Sequence, residues 1–446
     1  MKRLGTLLIL LCPSTGLLLS GCLMGGDMSV SSQGPYPGPP VEEAIEDSYQ
    51  PVGTNPYVNV AHDPFSTFAV DVDTASYDIF VRDIEDGLLP NPDSVRIEEY
   101  VNYFDYDYPA PEPGSEIPFA LDLAATAHPM GRQVANLRVA VQATRREDEP
   151  KLPTNLVFLV DTSGSMGGEK LDLAQFVLRE TLPHLDPTDT VSIVSYAGDV
   201  AVRLRPTPAS NPQAIEQAIN GLNSGGGTNG ASGINLAYDQ AEAGFIEGGF
   251  NHVILCTDGD FNIGISDSDE LVALIEEKRE TGVTLTALGF GSGNLNDAMM
   301  ERVTNAGNGM YSVLSSEAQA TRYAAERMLQ TAQHVAKDMK IQVEFNPEHV
   351  VAYRLLGYEN RALEDWQFRD DTVDAGEIGA GHRVTALYEI VLAGQSVPSG
   401  AELPEMLDGE PVEGVREIDA SEFVRVKVRW KDVGASTEDA AHELTS

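Results

Sequence analysis

The chain has 446 residues, of which 42% are apolar, enough to build two or three packed domains. Lys and Arg number 29 against 69 Asp and Glu, a formal net charge of −40. So large an excess of carboxylates argues against nucleic acid and anionic lipid surfaces as partners. It fits a solvated acidic surface, or one that gathers divalent cations or basic partners.

The chain opens on a basic "MKR" and the apolar run "LGTLLILLCPSTGLLL". Pro13 and Gly16 interrupt that run, which is too short for a good membrane span and reads as a signal peptide over residues 1–21. It ends in Leu19-Ser20-Gly21-Cys22, which resembles the lipobox of bacterial lipoproteins. The resemblance implies that Cys22 is lipidated and anchors the protein in the bacterial cell envelope. Leu23, rather than Asp, follows the cysteine, which by the same resemblance points to the outer membrane. The alternative is an ordinary signal peptide with a chance cysteine. Only Cys256 then remains of three cysteines, so no internal disulfide forms, and "HVILCT" makes it a buried strand residue.

Residues 22–63 include "SSQGPYPGPPVEE" and read as a flexible tether. Residues 64–115 predict a small α+β region. There "STFAVDVDTASY" begins as a strand, and "SYDIFVRDIEDG" and "DSVRIEEYVNYFDY" carry helical spacing. Residues 116–152 read as β, with Leu137, Val139 and Val141 on one face of "LRVAVQATRR". Alternation returns over 333–446, in "KIQVEF", "TALYEIVLAG" and "FVRVKVRW", before an acidic tail. Two β regions on either side of the centre predict a β-sandwich with the central domain inserted into it.

The centre, 153–332, alternates strand and helix. "NLVFLV", "TVSIVSYA", "HVILCT", "VTLTALGFG" and "GMYSVL" are strands, and "VAVRLR" is a short antiparallel edge. Helices fall over "EKLDLAQFVLRETLPHLD", "NPQAIEQAINGL", "SGINLAYDQAEAGF", "DSDELVALIEEKRETG" and "NDAMMERVTNAG". A long one, "SSEAQATRYAAERMLQTAQHVAKD", closes the domain. The pattern predicts an α/β fold with a doubly wound, mostly parallel sheet.

Ligands of such sheets sit outside the carboxyl ends of the strands. After the first strand come Asp161, Ser163 and Ser165, and after "HVILCT" comes Asp258. Thr228 lies between them in the glycine-rich "NSGGGTNG". Two carboxylates and three hydroxyls are hard oxygen donors, the inventory of an octahedral Mg²⁺ or Mn²⁺ site that keeps some waters. Positions 161, 163 and 165 share a direction if the segment is extended. An ion that is only partly neutralised can accept an Asp or Glu from a protein partner. Gly227, Asn229, Asp260 and Asn262 would form the rim where that partner lands.

"DTSGS", "GGGT" and "CTDGD", in that order, resemble the metal-ion-dependent adhesion site of von Willebrand factor type A domains, which have a Rossmann-like fold. The resemblance implies that Asp161, Ser163, Ser165, Thr228 and Asp258 hold Mg²⁺ (or Mn²⁺ or Ca²⁺), the aspartates often through water. "PFSTFAVDVDTASY", "VRIEEYVNYFDYDYP" and "AYRLLGYENR" resemble the flanks of that domain in YfbK-like bacterial lipoproteins, so the likeness spans residues 64–430. It implies an envelope-anchored binding protein, not an enzyme. The family pattern continues beyond the last strand found here, so an outer piece of the C-terminal domain is expected to be missing or replaced.

Other readings compete. One is a structural envelope protein in which the ion only stabilises loops. Another is a hydrolase: "DVDTAS" resembles the start of phosphatases that form an aspartyl-phosphate, with Asp71 as nucleophile and Asp73 as acid. The strand–helix domain such enzymes need does not follow. An aspartic protease is rejected because Ser163 replaces the required glycine, and an EF-hand because Ile263 stands where its loop turns on glycine.

Overall fold

The computed structural model describes residues 47–70, 73–145, 151–227, 230–259, 268–328, 334–373, 375–398, 418–436 and 439–446. All of them lie in one unit, Ile45–Ser446. Strands β1 (Val58–Asn59) and β2 (Phe65–Ala69) lead into helices α1 (Ala75–Glu85) and α2 (Ile97–Asn102), then β3 (Phe119–Ala127) and β4 (Ala135–Ala143). The central domain runs β5 (Thr154–Asp161), α3 (Glu169–Thr181), β6 (Thr190–Tyr196), β7 (Val200–Pro208), α4 (Pro212–Asn220) and α5 (Gly230–Ala243). It continues with β8 (Phe250–Thr257), α6 (Ser268–Arg279), β9 (Val283–Phe290), α7 (Asp297–Ala306), β10 (Tyr311–Leu314) and α8 (Glu317–Arg322). The chain returns as β11 (His334–Phe345), β12 (Val350–Leu356), β13 (Ala362–Leu363), β14 (Ile378–Gly379), β15 (Arg383–Leu392), β16 (Val424–Lys431) and β17 (His442–Thr445).

The central sheet has the order β10-β9-β8-β5-β6-β7 and is parallel except for β7, which pairs antiparallel with β6 at the edge. Every residue of β5 is buried, as a strand covered on both faces must be. Its alternation divides two cores. Leu156, Phe158 and Val160 pack with Leu178 of α3 and Ile215 of α4. Val157 and Leu159 pack with Ile234 of α5 and Ile275 of α6.

Two further sheets, β1-β12-β15-β4-β3 and β13-β2-β11-β16-β17, pack face to face, with β14 beside β11. They share one core that includes Val139 and Val384 from the first and Phe68, Ile341 and Val426 from the second. Strands from before and after the central domain interleave: β4 pairs with β15, and β11 lies between β2 and β16. The central domain is therefore inserted into a β-sandwich.

Four details differ from the sequence expectations. The span read as tether to residue 63 includes residues built into the fold: Ser48 bridges to Asn296, and β1 pairs with β12. The region 64–115 is not separate, since β2 joins the sandwich while Ala75 and Ile79 of α1 pack beside Tyr311 and Val313 of the central domain. The closing helix is shorter, because α8 passes into one π turn, Tyr323–Arg327. Residues 334–338 instead start β11, whose ladder to β14 and β16 overrides local helix preference. Last, the acidic tail ends as an edge strand, β17, paired with β16.

Buried arginines fasten the N-terminal flank to the central domain and to the returning sandwich strands. Arg96, 1% exposed, donates through both terminal nitrogens to Asp297 at the start of α7 (2.6 and 3.1 Å) and pairs with Glu99. Burial favours discharging it, but Glu99 and Asp297 hold it charged. Arg327 pairs with Asp78 of α1 at 2.8 Å, and Arg361 with Asp73 at 3.1 Å. Replacing Arg96 by Met leaves two buried carboxylates without their cation. The expected loss is about 3–5 kcal/mol, measured by urea denaturation; a loss under about 1 kcal/mol would show that the pair is not a clamp.

Candidate metal centre

Strand β5 is the point where the sheet reverses direction. The chain leaves it through α3 to β6 on one side, while β8 lies on the other. A crevice opens at such a switch point. In-register pairing of β5 with β8, Val160 opposite Cys256, brings the ends of both strands together. Asp161 ends one, and Asp258 follows the other.

Asp161 is fully buried and Asp258 is 1% exposed. The Asp161 Oδ1 accepts the Ser163 amide at 2.7 Å, and its Oδ2 has the Thr257 hydroxyl at 3.4 Å. The Ser163 and Ser165 hydroxyls stand 2.9 Å apart, and Ser165 also hydrogen-bonds the Asp258 carboxylate. The serines converge through a short 3₁₀ turn, Gly164–Met166, rather than through the extended segment expected. The glycine-rich loop is laced to this turn: Gly225 N–H donates to Thr162 O (2.8 Å) and Gly164 N–H to Gly226 O (3.2 Å). Gly227, expected on the rim, lies next to Gly198, and its side of the loop is exposed.

Thus Asp161, Ser163, Ser165 and Asp258 meet at one place. Thr228 and the rim residues Asn229, Asp260 and Asn262 lie outside the described residues, as do Cys22 and Asp71. Cys256 is a buried strand residue, and burial pushes its thiol up. Asp73 does not face a cleft for chemistry: it accepts the Tyr311 amide at 2.7 Å and pairs with Arg361.

The two aspartates are shifted in opposite directions. Burial raises the Asp161 carboxyl to about 6, and the Asp258 charge adds to this against the Ser163 amide bond. Burial also pushes Asp258 up, but hydrogen bonds from Asn294 and Lys170, with the lysine charge, bring it below the ordinary carboxylate range. Lys170 Nζ lies 3.0 Å from Asp258 Oδ2 and 3.2 Å from Asn294 Oδ1. Neither Lys170 nor Asn294 was singled out from the sequence. The signal was position: Lys170 opens the helix after the serine turn, and Asn294 follows the end of β9.

The donor set suits a hard divalent cation. A carboxylate offers about four lone-pair sites, and those of Asp161 meet the Ser163 amide, the Ser163 hydroxyl and a long contact to the Thr257 hydroxyl. Among the described residues no three His, Cys, Asp or Glu side chains gather as a metal site. An ion held here would draw on the serine hydroxyls as well as the carboxylates, oxygen donors that suit Mg²⁺, Mn²⁺ or Ca²⁺ better than zinc.

This geometry sets a pH dependence for the metal-free protein. Asp161 ionises near 3.8 when unfolded and near 6 when folded. Between these values the folded state holds the extra proton, so stability falls as pH rises and the cost is complete above about 6. Asp161→Asn keeps an acceptor for the Ser163 amide and removes the charge. In chelator near pH 7.5 the variant should be more stable than wild type, on the order of 2 kcal/mol. Thermal melts should show the gain fading by about pH 4, and a variant less stable than wild type would contradict the assignment.

Comparison with known proteins agrees with the architecture. Residues 155–347 match the von Willebrand factor type A domain, 43–138 match a von Willebrand factor model, and 330–445 match "Uncharacterized protein YfbK, C-terminal". The chain is 42% identical over 392 residues to uncharacterized protein YfbK of Escherichia coli K12, covering 86% of this chain and 67% of that protein. It is 28% identical to human inter-alpha-trypsin inhibitor heavy chain H3 over 34% of this chain and only 18% of that one. The solved von Willebrand factor type A protein from Catenulispora acidiphila covers 77% of this chain and 74% of its own at 17% identity, with a TM-score of 0.44. The chain belongs to the YfbK-like family of bacterial von Willebrand factor type A domain proteins.

Proposed function

We propose that the A domain binds a protein partner through a divalent cation, Mg²⁺ or else Mn²⁺ or Ca²⁺. Asp161, Ser163, Ser165, Thr228 and Asp258 would hold the ion, and the partner would supply an Asp or Glu. The observation that carries this reading is the buried Asp161 carboxylate beside two facing hydroxyls at the carboxyl end of the central strand. When bound, the ion would offer a coordination position to an outside carboxylate. The chain's own residues fix the rest. The 3₁₀ turn aims both serines, and Thr257 and the Ser163 amide orient Asp161. The Ser163 hydroxyl stands 2.9 Å from the Ser165 hydroxyl and also hydrogen-bonds the Asp161 carboxylate, which supports a shared role of these groups in holding an ion. Domains of this type typically mediate protein–protein interaction. The Leu19–Cys22 motif supports lipid anchoring through Cys22 in the cell envelope, at the outer membrane, and the acidic charge argues against nucleic acid as a partner.

The test is metal-dependent stabilisation. A ligand that binds only the native state stabilises it by about 2.7 kcal/mol at one hundred times its Kd. Mg²⁺ should raise the melting temperature of wild type by several degrees and saturate, while Asp161→Asn should not respond. Immobilised protein should then retain an envelope protein in Mg²⁺ and release it in chelator. An equal shift in wild type and variant would assign ion binding to the acidic surface. Retention of the same partner in chelator would leave the ion only a structural role.

A further inference from the structure

We propose that Lys170 is a built-in countercharge that keeps the loaded metal centre cationic, and so makes it demand a carboxylate from outside. This rests on the metal-binding reading above and adds how its affinity and selectivity are set. Lys170 is the second residue of α3, a position that ordinarily faces solvent. Here its side chain turns inward, only 22% exposed, and places Nζ 3.0 Å from Asp258 Oδ2. Its amide-side partner, Asn294, holds Nζ at 3.2 Å.

The route is shaped for it. Gly291 has φ +81°, and a Cβ there would lie 2.5 Å from the lysine Cε and 3.1 Å from Cδ and Cγ. The lysine stem therefore runs in a channel that only glycine leaves open. The loop above is held in place, since Arg82 donates to Gly291 O at 3.0 Å and is itself paired with Asp47 and Asp83. Arg82 is thus committed elsewhere, and among the described residues Lys170 is the cation paired with Asp258.

Charge arithmetic gives the consequence. Asp161 and Asp258 alone would cancel a divalent ion and leave a neutral centre. With the lysine ammonium beside Asp258, the same loaded cluster carries about one net positive charge, which one incoming carboxylate neutralises. In a buried site this charge is screened little by salt. The cation therefore weakens metal binding and strengthens the attraction for an acidic partner.

The experiment is calorimetric titration of the full chain with Mg²⁺ alone, for wild type, Lys170→Met and Lys170→Gln, with melting temperatures in chelator. Both neutral replacements should bind Mg²⁺ about tenfold tighter or more. Both should melt lower in chelator, because Asp258 loses the positive charge paired with it, and regain stability in Mg²⁺. Unchanged or weaker Mg²⁺ binding in both, whatever the melting temperature, would overturn the proposal and make Lys170 a packing or positioning residue. Tighter binding in the Met variant alone would also overturn it, in favour of an apolar effect. If wild type binds no Mg²⁺, the metal-binding reading itself fails, and this proposal falls with it.

Discussion

Asp161 is the constraint on which the site depends. It ends the central strand, at the reversal point of the sheet, sealed from water. A carboxylate in that position loses hydration that the Ser163 amide and hydroxyl and one long Thr257 contact restore only in part. Asp258, a strand away, is instead satisfied by Lys170, Asn294 and Ser165. One acid is left wanting a cation while the other already has one. Fold stability alone would select against that arrangement, and sites kept at such a cost are commonly the functional ones.

The loop after β9 connects this centre to the rest of the molecule. Its inner side touches the candidate site: Asn294 receives Lys170, and Gly259, at φ +90°, packs so closely on Leu295 that a Cβ would lie 2.6 Å from its Cα. Its outer side is held by the N-terminal flank. Asp47 accepts the amides of Gly293 and Leu295 at 2.7 and 2.9 Å, Ser48 pairs with its backbone, and Arg96 grips Asp297. The flank is part of the frame that fixes the site. Its helix α1 even completes the core at the β10 edge.

Local periodicity made the central domain legible. Apolar runs such as "NLVFLV" and "HVILCT" are strands buried on both faces, and β7 is the alternating edge it looks like. Asp161, Ser163, Ser165 and Asp258 were visible because they follow strand ends, where the topology converges. Lys170 and Asn294 were not. A lysine in the first turn of an amphipathic helix reads as a solvated residue, and only the tertiary path beneath Gly291 turns it inward. Residues 334–338 read as helix because their strand character comes from partners more than forty residues away. β17 and β1 were missed for the same reason: each is short and exists through pairing with a distant strand. Asp73 shows the converse, a motif-like acid whose oxygens serve a backbone amide and an arginine.

The most direct measurement is anomalous X-ray diffraction from crystals of the protein grown with Mn²⁺. The account expects a strong anomalous peak at the end of β5, bonded to the Ser163 and Ser165 hydroxyls and bordered by Asp161 and Asp258. No peak there, with Mn²⁺ bound only at exposed carboxylates elsewhere, would contradict it.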